Sequence, residues 1–174
     1  MSSAQPFALN VAPGADLQLL IDNGRTALSD GETTLYAIVV ANAGPNAVVG
    51  AALSDPLPTS LIQGLWTCRP TLSTALCPQP DSNLGNLQVP IDLRVGQSLR
   101  FDVIAMVDGS VGALVSNRAQ VQVPAGVTAL VPGNDSATDE DVIVSVGIFA
   151  DGYKNAPMKR SSTNLGATQA PRRR

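Results

Sequence analysis

The chain has 174 residues, 44% of them apolar but only 3% aromatic, with 15 Gly, 13 Pro and no His. That length suits one domain with a sizeable core. The missing His removes the usual general base, the usual triad partner and the commonest metal ligand together. Charge is divided unevenly: residues 1–151 hold all 14 acids and five Arg, a balance of −9, whereas residues 152–174 hold six basic residues and no acid, so the whole chain carries −3.

Taken in chain order, residues 1–14 form an N-terminal extension. It lacks the basic n-region and long apolar h-region of a signal peptide, so the chain has either lost a leader or uses none. No later apolar run approaches the ~20 residues that span a bilayer. A first strand is expected over 16–21, followed by "DNGRTALSDGE" as turn material. In "TLYAIVVANAG", Tyr36, Ile38 and Val40 alternate onto one face. The corner "NAGPN" comes next, where Gly44 permits positive φ, Pro45 fixes its own φ and extends the residue before it, and Asn42 and Asn46 can cap turn amides. Further strands are expected over 47–54, 61–67 and 84–89, separated by "SDPLPTS" and "CPQPDSN". Trp66, two residues before Cys68, is expected to cover the core beside the cysteine loop.

Two segments alternate cleanly. In "SLRFDVIAMVD", Leu99, Phe101, Val103, Ala105 and Val107 share a face; in "NRAQVQVPAG", Ala119, Val121 and Val123 turn inward and Arg118, Gln120 and Gln122 outward. After "VPGND" a last strand is expected over 141–147. No segment has a helical period. Seven or eight short strands at this spacing imply an all-β fold, an Ig-like antiparallel β-sandwich over residues 15–146 with extended terminal segments. Residues 147–174 remain as a basic tail, low in apolar content and expected to be disordered in isolation.

The stretch "LYAIVVANAGPNAVVGAALSDPLPTSL" resembles the opening of the bacterial surface-repeat family known as domain of unknown function eleven. Tyr36, Ile38, Val40, Asn42, Gly44 and Pro45 fit its Y-x-I-x-V-x-N-x-G-P frame, and Asp55, Leu57 and Pro58 its D-x-L-P. Cys68 and Cys77 fall where the family often has a cysteine pair, Asn117, Ala119 and Val121 match its N-x-A-x-V strand, and "PGNDSATDEDVIV" is similar to its closing segment. The resemblance covers roughly residues 15–146 and implies an Ig-like module of secreted or cell-surface proteins, usually repeated in long stalks. Only one copy of the pattern is present here, and "GIFADGYK" after it is similar to a short segment that ends some secreted bacterial proteins.

Chemistry-bearing residues are sparse. Ser and Thr have no evident activator, and the adjacent Asp139, Glu140 and Asp141 point to alternating faces if they lie on a strand, so they make no carboxylate pair for hydrolysis. Oxygen ligands for calcium could come from Asp135, Asp139 and Asp141, with Asn134 and Glu140 nearby, although an EF-hand spacing and its central Gly are missing. A solvated acidic turn guarding an edge strand is the preferred reading of that cluster. Asn134-Asp135-Ser136 also matches a glycosylation sequon. Cys68 and Cys77, with eight residues between them, make a poor zinc site. A disulfide between them would contribute about 2–3 kcal/mol and favour an oxidising compartment; reduced cysteines on neighbouring strands fit the same spacing. Trp66, Tyr36 and Tyr153 are thin material for a glycan platform.

No active site, cofactor, small-molecule substrate or membrane span is expected. The function expected is a non-enzymatic structural module of a bacterial surface or extracellular fibre, a homo-oligomer or polymer assembled through its ends. Lys159, Arg160, Arg172, Arg173 and Arg174 would meet acidic surface on a neighbour. A phage virion protein with free thiols is the alternative, and an adhesion module for glycan or protein the third. Nucleic-acid binding by the tail lacks interleaved aromatics and is opposed by the acidic body.

Overall fold

A computed structural model describes residues 12–71, 74–79 and 82–145. Its strands in chain order are β1 (Gly14–Ala15), β2 (Leu17–Asp22), β3 (Ala27–Ser29), β4 (Thr33–Asn42), β5 (Val48–Asp55), β6 (Leu61–Pro70), β7 (Asn83–Leu84), β8 (Leu87–Leu93), β9 (Ser98–Val107), β10 (Leu114–Gln122), β11 (Thr128–Ala129) and β12 (Ser136–Val144). One sheet has the order β2-β4-β9-β6-β7 and faces a second, β3-β12-β10-β5-β8. The order β2-β4-β9-β6 against β12-β10-β5 is that of A-B-E-D against G-F-C in immunoglobulin-type sandwiches, with β8 added beside β5. The fold is therefore an Ig-like β-sandwich. Eight of its strands have six or more residues; of the shorter ones β3 and β7 complete edges, and β1 and β11 pair with each other as a separate parallel two-stranded sheet.

Alternation decides which side chains fill the space between the sheets. Tyr36, Ile38 and Val40 are wholly buried, as are Leu99, Phe101 and Val103 on β9 and Ala119 on β10. Each buried Leu, Ile, Val or Phe removes enough apolar surface to contribute roughly 1.5–3 kcal/mol. Trp66 is buried beside Phe101, ring centroids 6.1 Å apart, so the single tryptophan caps this core as its place in the sequence implied.

Three local expectations need correction, and one strand carries an irregularity that its sequence did not announce. The "DNGRTALSDGE" segment contains β3, which pairs parallel to β12 and buries Leu28 completely. β8 runs past Pro90 to Leu93 instead of ending at 89, because it is the outermost strand of its sheet and an edge tolerates a residue without an amide proton. β12 begins at Ser136, so the acidic stretch lies within a paired strand and not in a turn. A bulge in β6 between Ile62 and Leu65, where Gln63 adopts φ of 56°, resets the alternation so that Leu65 turns outward and Trp66 inward.

The corner 42–46 holds one end of the sandwich together. Asn42 is 1% exposed; its Nδ2 donates to the Asn46 and Leu93 carbonyls at 2.9 and 3.0 Å, and its Oδ1 accepts from the Gly44 amide at 3.0 Å. Asn46 reaches in the other direction, donating from Nδ2 to the Gly14 carbonyl at 2.8 Å. Gly44 is needed for proximity, not for positive φ: a Cβ there would lie 2.3 Å from the Asp16 nitrogen and 2.9 Å from the Ala15 carbonyl carbon. Both contacts are backbone, so they have little room to give. Gly44→Ala is expected to destabilise the domain by at least about 2 kcal/mol, and Asn42→Ala by about 2–4 kcal/mol through a buried carbonyl, a part-buried carbonyl and a buried amide left without partners. Urea unfolding followed by tryptophan fluorescence checks both; midpoints equal to wild type would remove the corner from this role.

Candidate functional site

The described polar groups with unusual environments gather in three places. The first is the cysteine loop. Cys68 and Cys77 form a disulfide with Cα atoms 5.7 Å apart, which closes the excursion after β6. Cys68 stands opposite Phe101 on β9, and Ala75 in the loop is 5% exposed, so the loop lies against the core. Gln97 fastens it from below: its Nε2 donates to Thr74 Oγ1 at 2.8 Å while its Oε1 accepts from the Arg94 amide at 2.8 Å. A cleft of about 600 Å³ opens between this loop and the β5–β8 edge, lined in part by Val49, Leu76, Pro78, Asp92 and Arg94.

The second is a buried polar cluster where β12 crosses β4. Asp139 and Asp141 share the inward face of β12, and Asp141 is 1% exposed. Asp141 Oδ2 accepts from Asn23 Nδ2 at 2.7 Å and from the Tyr36 hydroxyl at 3.4 Å; Asn23 Nδ2 also reaches Thr34 Oγ1 at 3.3 Å. Burial raises the Tyr36 phenol well above its ordinary range, and the Asp141 and Asp139 charges add to the effect, so the hydroxyl stays a donor. Burial also raises Asp139, followed by its neighbours Asp141 and Asp22.

The third is Asp55 with Asn117. Both are wholly buried, and Asn117 Nδ2 lies 3.5 Å from Asp55 Oδ2. Neither Asp55 Oδ1 nor Asn117 Oδ1 accepts a hydrogen bond from any described group. Burial pushes Asp55 up to about 6, against the opposing effect of the Asn117 amide. Protonation gives this pair a donor where two acceptors otherwise face a low dielectric.

These positions differ from the sequence expectations. The calcium candidates do not converge: Asp135 lies beside Asp16, whereas Asp139 and Asp141 lie beside Asn23 and Tyr36. Among the described residues no group of three or more acidic or sulfur ligands is placed to hold a metal ion. Asp141 is enclosed and not solvated, because its strand packs over β2 and its side chain meets Tyr36 of β4. The sequon's Asn134 spends its Nδ2 on Asp16 Oδ1 at 2.9 Å. Trp66 and Tyr36 are buried, which removes them from any glycan platform, while Tyr153 and the tail residues Lys159, Arg160 and Arg172–Arg174 lie outside the described residues. Asp55 and Asn117 stood in the sequence only as landmarks of a resemblance; their spacing gave no sign that they meet. Asn23 and Thr34 carried no signal at all, since their partners are more than a hundred residues away or across a turn.

No protein-family model matches the chain, and no curated protein matches it. Among solved structures, it is similar to a CARDB domain from Pyrococcus furiosus in solution, with 14% identity over 76% of this chain and 97% of that one, at a TM-score of 0.49. The same domain crystallised in complex with di-metal ions gives 16% identity over 79% and 99%, at 0.45. AvmM, which catalyses macrocyclization in alchivemycin A biosynthesis, gives 10% identity over 73% and 89%, at 0.45. Neither the metal ions nor the catalysis transfers to this chain at such similarity.

Asp55 sets a pH dependence whose sign follows from its raised folded value. The folded state holds the proton more tightly than the unfolded one, so the contribution is fully present below the unfolded value of 3.8 and is lost as pH rises through about 6. Unfolding free energy is expected to fall by up to about 3 kcal/mol across that window. Asp55→Asn should flatten most of the slope, with the remainder assigned to Asp139 and Asp135, which shift in the same direction. Urea titrations at several pH values read the slope directly; an Asp55→Asn profile parallel to wild type would exclude Asp55 as its source.

Proposed function

We propose that the chain is a non-enzymatic structural module of a bacterial surface or an extracellular fibre, assembling with copies of itself through its terminal segments. The observation that carries this reading is where the polar chemistry points. Asn42, Asp55, Asn117 and Asp141 are at most 1% exposed; Asn42 and Asp141 bind across the sandwich, and Asn117 meets Asp55 on the adjacent strand of its own sheet. Side chains enclosed in this way hold the sheets together and meet no substrate.

The Cys68–Cys77 disulfide supports a location in an oxidising compartment. It also favours the surface or fibre reading over a virion protein folded in a reducing cytoplasm, for which free thiols are expected. The resemblance to the surface-repeat family on Tyr36, Asn42, Gly44, Asp55 and Asn117 points in the same direction. The role of the termini rests on charge: a body at −9 and a segment at +6 attract when they belong to neighbouring copies, most strongly at low salt.

Electron microscopy beside light scattering tests the assembly. The full chain is expected to form ordered filaments or shells far larger than the 17.9 kDa monomer at low salt, and removal of residues 152–174 is expected to abolish these polymers while the β-sheet circular dichroism stays unchanged. Equal assembly by the truncated protein overturns the role of the tail. A strictly monomeric full chain overturns self-assembly.

A further inference from the structure

The two sheets have unlike outer faces. Directly paired residues share a face, so the pairings Leu35–Ile104, Ile104–Leu65 and Leu65–Leu84 run one aliphatic row across four strands, β4, β9, β6 and β7. Met106 opposite Ile62 makes a second row, and Leu20 opposite Val39 extends the face onto β2. Leu20, Leu35 and Leu84 are 69%, 44% and 85% exposed. The corresponding face of the other sheet carries Ser54, Gln88, Ser116, Arg118, Gln120 and Thr138 across its middle, with exposed aliphatics at one end, where Leu114 stands opposite Val142 and Val144 follows.

An apolar sheet exterior of this breadth is unusual for a surface in water. Its charges are answered within the face, where Asp102 pairs with Arg100 at 2.7 Å and with Arg69 at 3.0 Å. It therefore asks for no strongly acidic or basic partner. Strands ~4.8 Å apart, five abreast and followed over about eight residues of ~3.4 Å, give roughly 500 Å² on each copy. Two such faces stacked would bury on the order of 1,000 Å², which reaches the lower bound for a specific interface between proteins.

We propose that the outer face of the β2-β4-β9-β6-β7 sheet is a two-fold interface with a second copy of this chain. The two sheets stack about 10 Å apart and their aliphatic rows interdigitate. This contact is separate from the terminal segments. It also responds oppositely to salt, because apolar burial persists where attraction between exposed charges is screened.

Sedimentation equilibrium of the full chain at about 0.5 M salt isolates this contact from any tail-to-body attraction. Wild type is expected to show a reversible monomer–dimer equilibrium in the micromolar range. Leu35→Glu combined with Leu84→Glu is expected to weaken it about 100-fold or more. Leu84→Asp alone, on a two-residue edge strand outside the core, should weaken it in the same direction while thermal unfolding stays near wild type. Gln120→Glu on the opposite sheet should leave the equilibrium unchanged. A wild-type chain that remains monomeric at about 200 μM in high salt overturns the proposal and leaves the face to another partner. Folded face variants that dimerise as tightly as wild type overturn it equally.

Discussion

One buried carboxamide determines how the two sheets meet. Asn42 ends β4 in one sheet, and its side chain reaches the last carbonyl of β8 in the other while closing the turn that leads to β5. Its main chain adds bonds to Gln97 and Gly96, so the loop into β9 is held from the same residue. Gly44 then permits the N-terminal segment to pass within contact distance, where the Ala43 amide donates to the Asp16 carbonyl at 2.8 Å. Three chain segments far apart in sequence are fixed at one point. An apolar residue at 42 would keep the two main-chain bonds but leave the Leu93 and Asn46 carbonyls and the Gly44 amide without their partner.

The opposite end of β4 is fixed by different chemistry. Thr34 and Tyr36 take part in the cluster around Asn23 and Asp141, which ties β12 of the second sheet across the core. Between these polar anchors the inward residues of β4 are aliphatic, and in a core with few aromatics they are close to interchangeable in shape. A slip of β4 by two residues would keep most apolar contacts but would strand Asn42, Thr34 and the Tyr36 hydroxyl. Buried polar groups therefore supply the register that small aliphatic side chains specify weakly.

The same division explains what was legible in the sequence. β4, β9 and β10 stood out because each is buried on one face only, and period-two alternation records that condition. The architecture followed from their spacing. β3 escaped notice because three residues carry no period, and β8 was misplaced because Pro90 discourages a strand unless the strand is known to lie at an edge. Only the first half of β12, before residue 141, was missed: inward Asp139 and Asp141 read as surface residues until Asn23 and Tyr36 are in place. Gly44 was singled out correctly but for the wrong reason, since close approach between segments leaves no local trace. The Asp55–Asn117 pair depends on a contact spanning 62 positions, beyond any local pattern.

Edges and faces together limit how copies of such a sandwich meet. A sheet grows sideways only through an edge with free backbone groups, and three of the four edges here are shortened or interrupted. β3 and β7 have three and two residues, and β8 carries Pro90. Lateral fusion into a continuous sheet is thereby discouraged at those sites, leaving β2 as the one long uninterrupted edge among the described strands. What the fold presents instead is a largely polar exterior on one sheet and a broader aliphatic exterior on the other, and the sequence sets an acidic body against a basic C-terminal segment. Contacts through a face or through the termini would add a neighbour without disturbing any backbone ladder, so the polar ties that set β4 in register inside one copy would survive intact in the proposed assembly.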